Sequence, residues 1–332
     1  MEIFKVIKDR RFDVVVVGSC FCDLQTYIRN LPKPGETVLS EKFQMDFGGK
    51  GANTCVMAAK LGARTAMISS IGDDVFGRET LANFHKFGVH TECVKITSDA
   101  ATGITNCIVN EDGEPSYISV PGAGKCLSIS NINDAKHIIE QGKIVISNNG
   151  IPLSTAIEGL KLGKHYGAIT MYNPSPNLHE MPDDLCSNMD ILLLNTTEAT
   201  TLTKIKVSGP SDAEDACAWF HDKGIQCVVM TMGKDGVVVS AVCLESADKG
   251  SSRMVFHTPA RKACVVDTTG AGDALAGSFA FFLSCYPQLS LKEVIRRCVT
   301  IATQTVETEG VQKSYPSCKL LPQELFERLK IA

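Results

Sequence analysis

Five short apolar runs constrain this chain more than any other feature: Val14–Val17, Ile144–Ile146, Ile191–Leu194, Val228–Thr231 and Val237–Val239. They are rich in Val and Ile and lack the alternation of a half-buried strand. A strand without a polar side must be covered on both faces, as in a parallel sheet packed between helices. Helical spacing falls between the runs, with Ala213, Ala216, Cys217 and Phe220 at i, i+3, i+4 and i+7. Leu291, Val294, Ile295, Cys298 and Ala302 form a second such stripe. From about Ile144 onward, strand and helix alternate. The pattern predicts an α/β fold, doubly wound, with a mainly parallel central sheet and helices on both faces. The stretch Ala274–Leu283 is apolar on every side, which predicts a core helix, and it is too short to cross a membrane.

Two segments break this pattern. Thr37–Phe47 and Ile104–Val120 alternate polar and apolar residues, and the second holds a turn signal at Glu111-Asp112-Gly113. They read as antiparallel strands outside the parallel core. The expected result is a small β-sheet lid built from about 36–48 and 102–121 together with nearby strand segments. Pro32-Lys33-Pro34-Gly35 is a local turn, and no linker interrupts the chain. Residues 1–332 are therefore expected to form one domain, for which 44% hydrophobic and 21% charged residues provide a sizeable core.

Charge narrows the partners. The 33 Lys and Arg against 37 Asp and Glu give a net charge of −4, which is no footprint for nucleic acid or an anionic membrane. Val14–Val17, behind Lys5, Lys8, Arg10 and Arg11, is too short for a signal peptide. The 14 Cys include no C-x-x-C pair and no Cys/His set with zinc spacing. Cys55, Cys107, Cys217, Cys227 and Cys285 lie in apolar runs. They read as buried, reduced thiols of a cytoplasmic protein, one that could also be nuclear.

The strongest chemical signal is Asp267-Thr268-Thr269-Gly270-Ala271-Gly272-Asp273, placed between a strand-like stretch and the apolar helix. Small residues let the backbone approach a ligand, and the unpaired N–H groups of a first helical turn attract an anion. A carboxylate at Asp273 could accept the proton of an attacking hydroxyl, or could simply complement the helix dipole. A dinucleotide fingerprint fails, because its third glycine would fall at Leu275. A Walker-type phosphate loop fails too, since Gly49-Lys50 is followed by Gly51. The second signal is Gly48-Gly49-Lys50-Gly51-Ala52-Asn53. Asn53 offers donors and an acceptor suited to a diol, and Lys50 a point charge. Taken alone, this loop could equally be structural.

These two motifs, in this order and separation, resemble those of ribokinases and their carbohydrate and nucleoside kinase relatives. Further landmarks cover nearly the whole chain: Gly18-Ser19 with Asp23, Pro34-Gly35-Glu36-Thr37, Ile71 to Gly77, Thr102-Gly103, Asn173-Pro174, Asn195 to Glu198, Thr231 to Gly236, and Ser314-Tyr315-Pro316. The resemblance implies an ATP-dependent sugar kinase that phosphorylates the 5-hydroxyl of ribose. Other readings are a relative acting on a hexose or a nucleoside, or a non-catalytic sugar- or nucleotide-binding relative. Asp273 would be the base, and Gly270, Ala271 and Gly272 the anion hole. Asp23, Gly49, Lys50, Asn53 and Asn149 would hold the sugar. Asn195, Thr231, Gly233, Lys234, Gly236, Gly272 and Cys298 would contact the nucleotide. Glu198 would help place Mg²⁺ through water. Asp267, Thr269, Thr305, Thr308, Gly310 and Ser314 match the positions of an activating potassium ion. The resemblance also implies a homodimer paired through the lids. Departures from the family pattern fall at Phe21, Gly124, Asn149 and Cys298.

Overall fold

The computed structural model describes residues 9–40, 42–111, 115–176, 178–242 and 253–327. In chain order the strands are β1 (Phe12–Val17), β2 (Phe21–Tyr27), β3 (Lys42–Gly48), β4 (Thr65–Gly72), β5 (Val94–Thr97), β6 (Gly103–Val109), β7 (Pro115–Val120), β8 (Gly142–Asn148), β9 (Ile169–Asn173), β10 (Ile191–Asn195), β11 (Cys227–Thr231), β12 (Val237–Val242) and β13 (Arg253–Thr258). The helices are α1 (Lys50–Leu61), α2 (Val75–Lys86), α3 (Ile129–Asp134), α4 (Lys136–Ile139), α5 (Leu153–His165), α6 (Asp183–Asn188), α7 (Thr196–Thr203), α8 (Pro210–Asp222), α9 (Ala271–Cys285) and α10 (Leu291–Thr305).

A nine-stranded sheet runs in the order β13-β12-β11-β10-β9-β8-β1-β4-β5. Its centre explains the apolar runs. Val14 to Val17 are wholly buried. Successive side chains point to opposite faces, so Val14 and Val16 enter one core while Val15 and Val17 enter the other. Helices α1, α9 and α10 cover the first face, and α5, α7 and α8 the second. Burying each such side chain contributes roughly 1.5–3 kcal/mol. The expected doubly wound, mainly parallel layer is present. One run differs: Val237–Val239 belongs to β12, which pairs antiparallel with β11. Burial on both faces makes strands of either direction read alike, so the run could not report its own direction. β13 pairs antiparallel with β12 and so returns to the parallel sense.

The smaller sheet has the order β3-β2-β6-β7. One of its two inner strands, β2, lies outside the two segments that the alternation singled out. The segment with Asp23 is extended and pairs with β3 on one side and β6 on the other. Residues 37–40 carry no strand, so β3 starts later than expected. The Glu111 turn leads toward β7, but Asp112 and Gly113 lie outside the described residues.

The helix stripes fall where the spacing placed them: Ala213, Ala216, Cys217 and Phe220 are buried in α8, and Leu291, Val294, Ile295 and Cys298 in α10. Ala274 to Leu283 are buried throughout α9. Cys55, Cys107, Cys217 and Cys227 are buried, but Cys285 is only half-buried and Cys264 is exposed. Among the described residues, no helix is long and apolar enough to cross a membrane.

Candidate active site

The carboxyl edge of the sheet gathers the candidate residues. Asn195 at the end of β10 lies beside Thr231 at the end of β11, which faces Val237 and then Thr258 at the end of β13. The connection leaving Thr258 leads to Asp267 and α9. Ligands bind beyond the carboxyl ends of such strands because βα connections open there.

Asp273 sits in the first turn of α9 and is only 3% exposed. The helix begins at Gly270, whose φ of 79° is left-handed, and a Cβ there would meet Val311 and Tyr315. Only glycine meets both demands. The Tyr315 hydroxyl donates to the Gly270 carbonyl at 3.0 Å and braces the turn from behind. The space beside Gly272 is open, as an anion hole needs. Ala271 differs from expectation, because its N–H donates to the Thr268 carbonyl at 3.3 Å. The N–H groups of Gly272 and Asp273 follow in that first turn, where no helical carbonyl reaches them.

Opposite stands α1. Its N-cap, Gly49, has φ 88°, and a Cβ there would fall 2.7 Å from the Ser19 carbonyl. The turn therefore presses against the start of β2 and aims α1 at α9. Asn53 Nδ2 donates to Asp273 Oδ2 at 2.9 Å, and Lys50 Nζ lies 3.5 Å from Oδ1. A cleft of about 1040 Å³ opens here, lined by Asp23, Gly49, Lys50, Asn53, Asn149, Gly270 and Asp273 among others. The small sheet roofs it, with Asp23, Gln25 and Tyr27 of β2 facing inward.

Three carboxylates crowd this roof. Asp23 lies directly across from Asp46 in the β2–β3 pair. Burial first, then the charges of Asp46 and Asp273, push Asp23 up to about 7. Burial also raises Asp46, which accepts N–H bonds from Phe47 at 2.8 Å and Val311 at 3.3 Å. Sequence reasoning missed Asp46 and β2 together. The available signal was alternation: Lys42, Gln44 and Asp46 share one parity of β3, as Asp23, Gln25 and Tyr27 do in β2.

Asn149 lines the cleft with its amide engaged, Nδ2 donating to the Pro176 carbonyl at 2.6 Å and Oδ1 accepting from Tyr172 at 3.3 Å. Asp267 is held by N–H bonds from Thr269 at 2.9 Å and Gly310 at 3.0 Å. The Thr305 and Ser314 hydroxyls donate to the Ala302 and Val311 carbonyls at 2.8 Å each. Thr308 donates its N–H to the Thr305 carbonyl at 3.4 Å. Asn195 and Glu198 cap α7 reciprocally, at 2.8 and 3.0 Å. Gly233, Lys234 and Asp235 form one turn of 3₁₀ helix after β11, and Gly236 follows with φ 92°. None of Asn195, Glu198, Thr231, Gly233, Lys234 or Gly236 lines the cleft described above. Cys298 is wholly buried against Ser278, and its thiol is pushed up to about 12 by burial. It has no exposed face for a nucleotide in this structure.

A family model described as the pfkB family carbohydrate kinase matches residues 11–318. The chain belongs to the pfkB family of carbohydrate kinases. Mouse ribokinase is 38% identical over 313 residues, spanning 94% of each chain. A deoxyribokinase of Salmonella typhi is 32% identical over 306 residues, or 92% of this chain and 96% of its own. Among solved structures, Arabidopsis thaliana ribokinase complexed with ribose and ATP superposes with TM-score 0.85 at 28% identity, covering 98% of this chain and 100% of its own. As a pfkB kinase, the chain carries the smaller sheet as the lid that the alternating segments led one to expect.

Proposed function

We propose that this pfkB kinase transfers the γ-phosphoryl group of ATP to the 5-hydroxyl of D-ribose, giving ribose 5-phosphate and ADP. The observation that carries the reading is Asp273, buried at the mouth of α9 and facing a cleft opposite Lys50 and Asn53. Its carboxylate accepts the proton of the sugar hydroxyl as that oxygen bonds to the γ-phosphorus, and the bond to the bridging oxygen of ADP breaks. The Gly272 and Asp273 N–H groups face the charge that spreads over the phosphoryl oxygens. Asp23, Gly49, Lys50, Asn53 and Asn149 orient the sugar, while the lid closes over it and excludes water that would otherwise hydrolyse ATP. ATP lies along Asn195, Thr231, Gly233, Lys234 and Gly236, on the same sheet edge.

The donor chemistry at two further positions fits ions. One Glu198 oxygen serves the helix cap and the other remains for water, so Glu198 suits an outer-sphere Mg²⁺ whose charge offsets that of the phosphates. Asp267, fixed by two N–H groups, with the hydroxyls and carbonyls of Thr269, Thr305, Thr308, Gly310 and Ser314, offers only oxygens, as a large, weakly hydrated potassium ion prefers. The outer lid face supports a homodimer, because Phe43, Ile118 and Val120 are exposed there and pair better with a second copy than with water. The free thiols support a reducing compartment, cytoplasmic or nuclear.

The test is an ADP-release assay over ribose, 2-deoxyribose, fructose and adenosine, with Mg²⁺. Ribose is expected to turn over fastest, and no turnover with any sugar refutes the kinase reading. A second reading, 2-deoxyribose as acceptor, is favoured by the deoxyribokinase relative and wins if deoxyribose is preferred. Asp273→Asn is expected to lower kcat by about 10²–10⁴-fold. Near wild-type activity in that variant removes Asp273 from the mechanism.

A further inference from the structure

Behind Asp273 runs a chain of three side-chain amides. Asn53 on α1 donates through Nδ2 to the carboxylate at 2.9 Å. Its Oδ1 accepts from Gln312 Nε2 at 3.0 Å, and Gln312 Oε1 accepts from Asn83 Nδ2 at 2.8 Å. Asn53 and Gln312 are 5% and 3% exposed. Lys60 Nζ clamps the segment by donating to the Gln312 and Tyr315 carbonyls at 2.6 and 2.8 Å.

The polarity of the chain has one source. An ionised carboxylate can only accept, so Asn53 must turn its NH₂ toward Asp273. Its carbonyl then faces Gln312, which must present its own NH₂, and the Gln312 carbonyl must find a donor, which Asn83 supplies. Reversing any amide reverses all of them and leaves a carbonyl facing the carboxylate. A bond to a buried carboxylate is the strongest in the series, so it sets the direction of the other two. The second N–H of Asn53 stays available for a sugar hydroxyl.

We propose that Asn83 and Gln312 are positioning residues for the transfer, orienting Asn53 so that its NH₂ meets the Asp273 carboxylate and keeps it correctly aimed. The inference rests on the reading of Asp273 as the base. The other groups whose charge acts on this carboxylate are Lys50 of α1 at 3.5 Å, Asp23 of β2, and the Tyr315 hydroxyl. Asp46 of β3 acts on Asp23 and Tyr315 as well, and Lys60 acts on Asp46. None of these touches Asn83 or the Gln312 side chain.

The experiment inverts the chain from its far end. Asn83→Asp keeps the shape of the side chain but can only accept, so it turns Gln312 and then Asn53 around, and a protonated Asp273 becomes the stable partner. Gln312→Glu does the same one link closer. The readout is the acid limb of kcat at saturating ribose and ATP, compared with wild type so that Asp23 and Lys50 act equally in both. The limb is expected to move up by about one pH unit in Asn83→Asp, with an unchanged melting temperature. Gln312→Glu is expected to show a larger move, and Gln312→Leu a loss of rate without it. Acid limbs matching wild type in folded Asn83→Asp and Gln312→Glu overturn the proposal. Should Gln312→Glu fail to fold, Asn83→Asp, on a half-buried helical position, decides alone. Asp273→Asn separates the two ideas. An active Asp273→Asn overturns the base reading and the relay with it, whereas an inactive one beside unmoved acid limbs overturns only the relay.

Discussion

Asp23→Asn should make the free protein more stable while weakening its hold on sugar. The carboxyl of Asp23 is raised from 3.8 to about 7, by burial and then by Asp46 and Asp273. A folded-state value above the unfolded one means that the folded chain holds a proton the unfolded chain releases. The stability of the neutral form is therefore complete below the unfolded value of 3.8 and is lost as pH rises toward 7. Converted at about 1.4 kcal/mol per pH unit, the whole window corresponds to about 4 kcal/mol. Water reaching the open side of the cleft screens part of this, so about 2 kcal/mol is expected. Asn carries no charge at any pH and keeps an oxygen to accept from Thr105. Urea unfolding of both proteins from pH 4 to 9 reads the difference directly. The advantage of the variant should be near zero at pH 4, grow to pH 7 and stay level above it. A pH-independent difference, or a variant less stable at pH 8, refutes the argument that like charges strain this roof. Calorimetric titration with ribose at pH 8 should show affinity falling by at least about tenfold, since bonds to a charged group are the strong ones.

Potassium should raise kcat above its value in a large organic cation of the same ionic strength, and Asp267→Asn should remove most of the difference; steady-state rates in the two salts check both. Gly270→Ala should lower the melting temperature, because the left-handed φ of 79° and the contacts with Val311 and Tyr315 cost more than about 1 kcal/mol together. Ile118→Asp, on the exposed face of β7, should convert the dimer proposed above to a monomer in sedimentation while the secondary structure stays intact.

Local sequence determined the central layer, the buried helix α9 and the placement of Asp273 at its start. Each depends on short-range rules: a strand with no polar face must be covered, and a Gly-rich step into an apolar helix must present its N–H groups. The antiparallel sense of Val237–Val239 was not readable, since direction depends on which neighbour the strand meets. β2 was missed because its inward side is the cleft, so Asp23, Gln25 and Tyr27 mimic a solvent-facing loop. Alternation in β3 gives the face of Asp46 but not its partner, and Gln312 carries no local signal. Their importance comes from elements far apart in sequence: β3 meeting the loop after α10, and α2 reaching Gln312 through Asn83. Only the packed structure decided that Asn53 bonds Asp273 and that Cys298 is sealed in the core. Side-chain partners and burial are products of three-dimensional contact, whereas strand, helix start and apolar face are properties of a few consecutive residues.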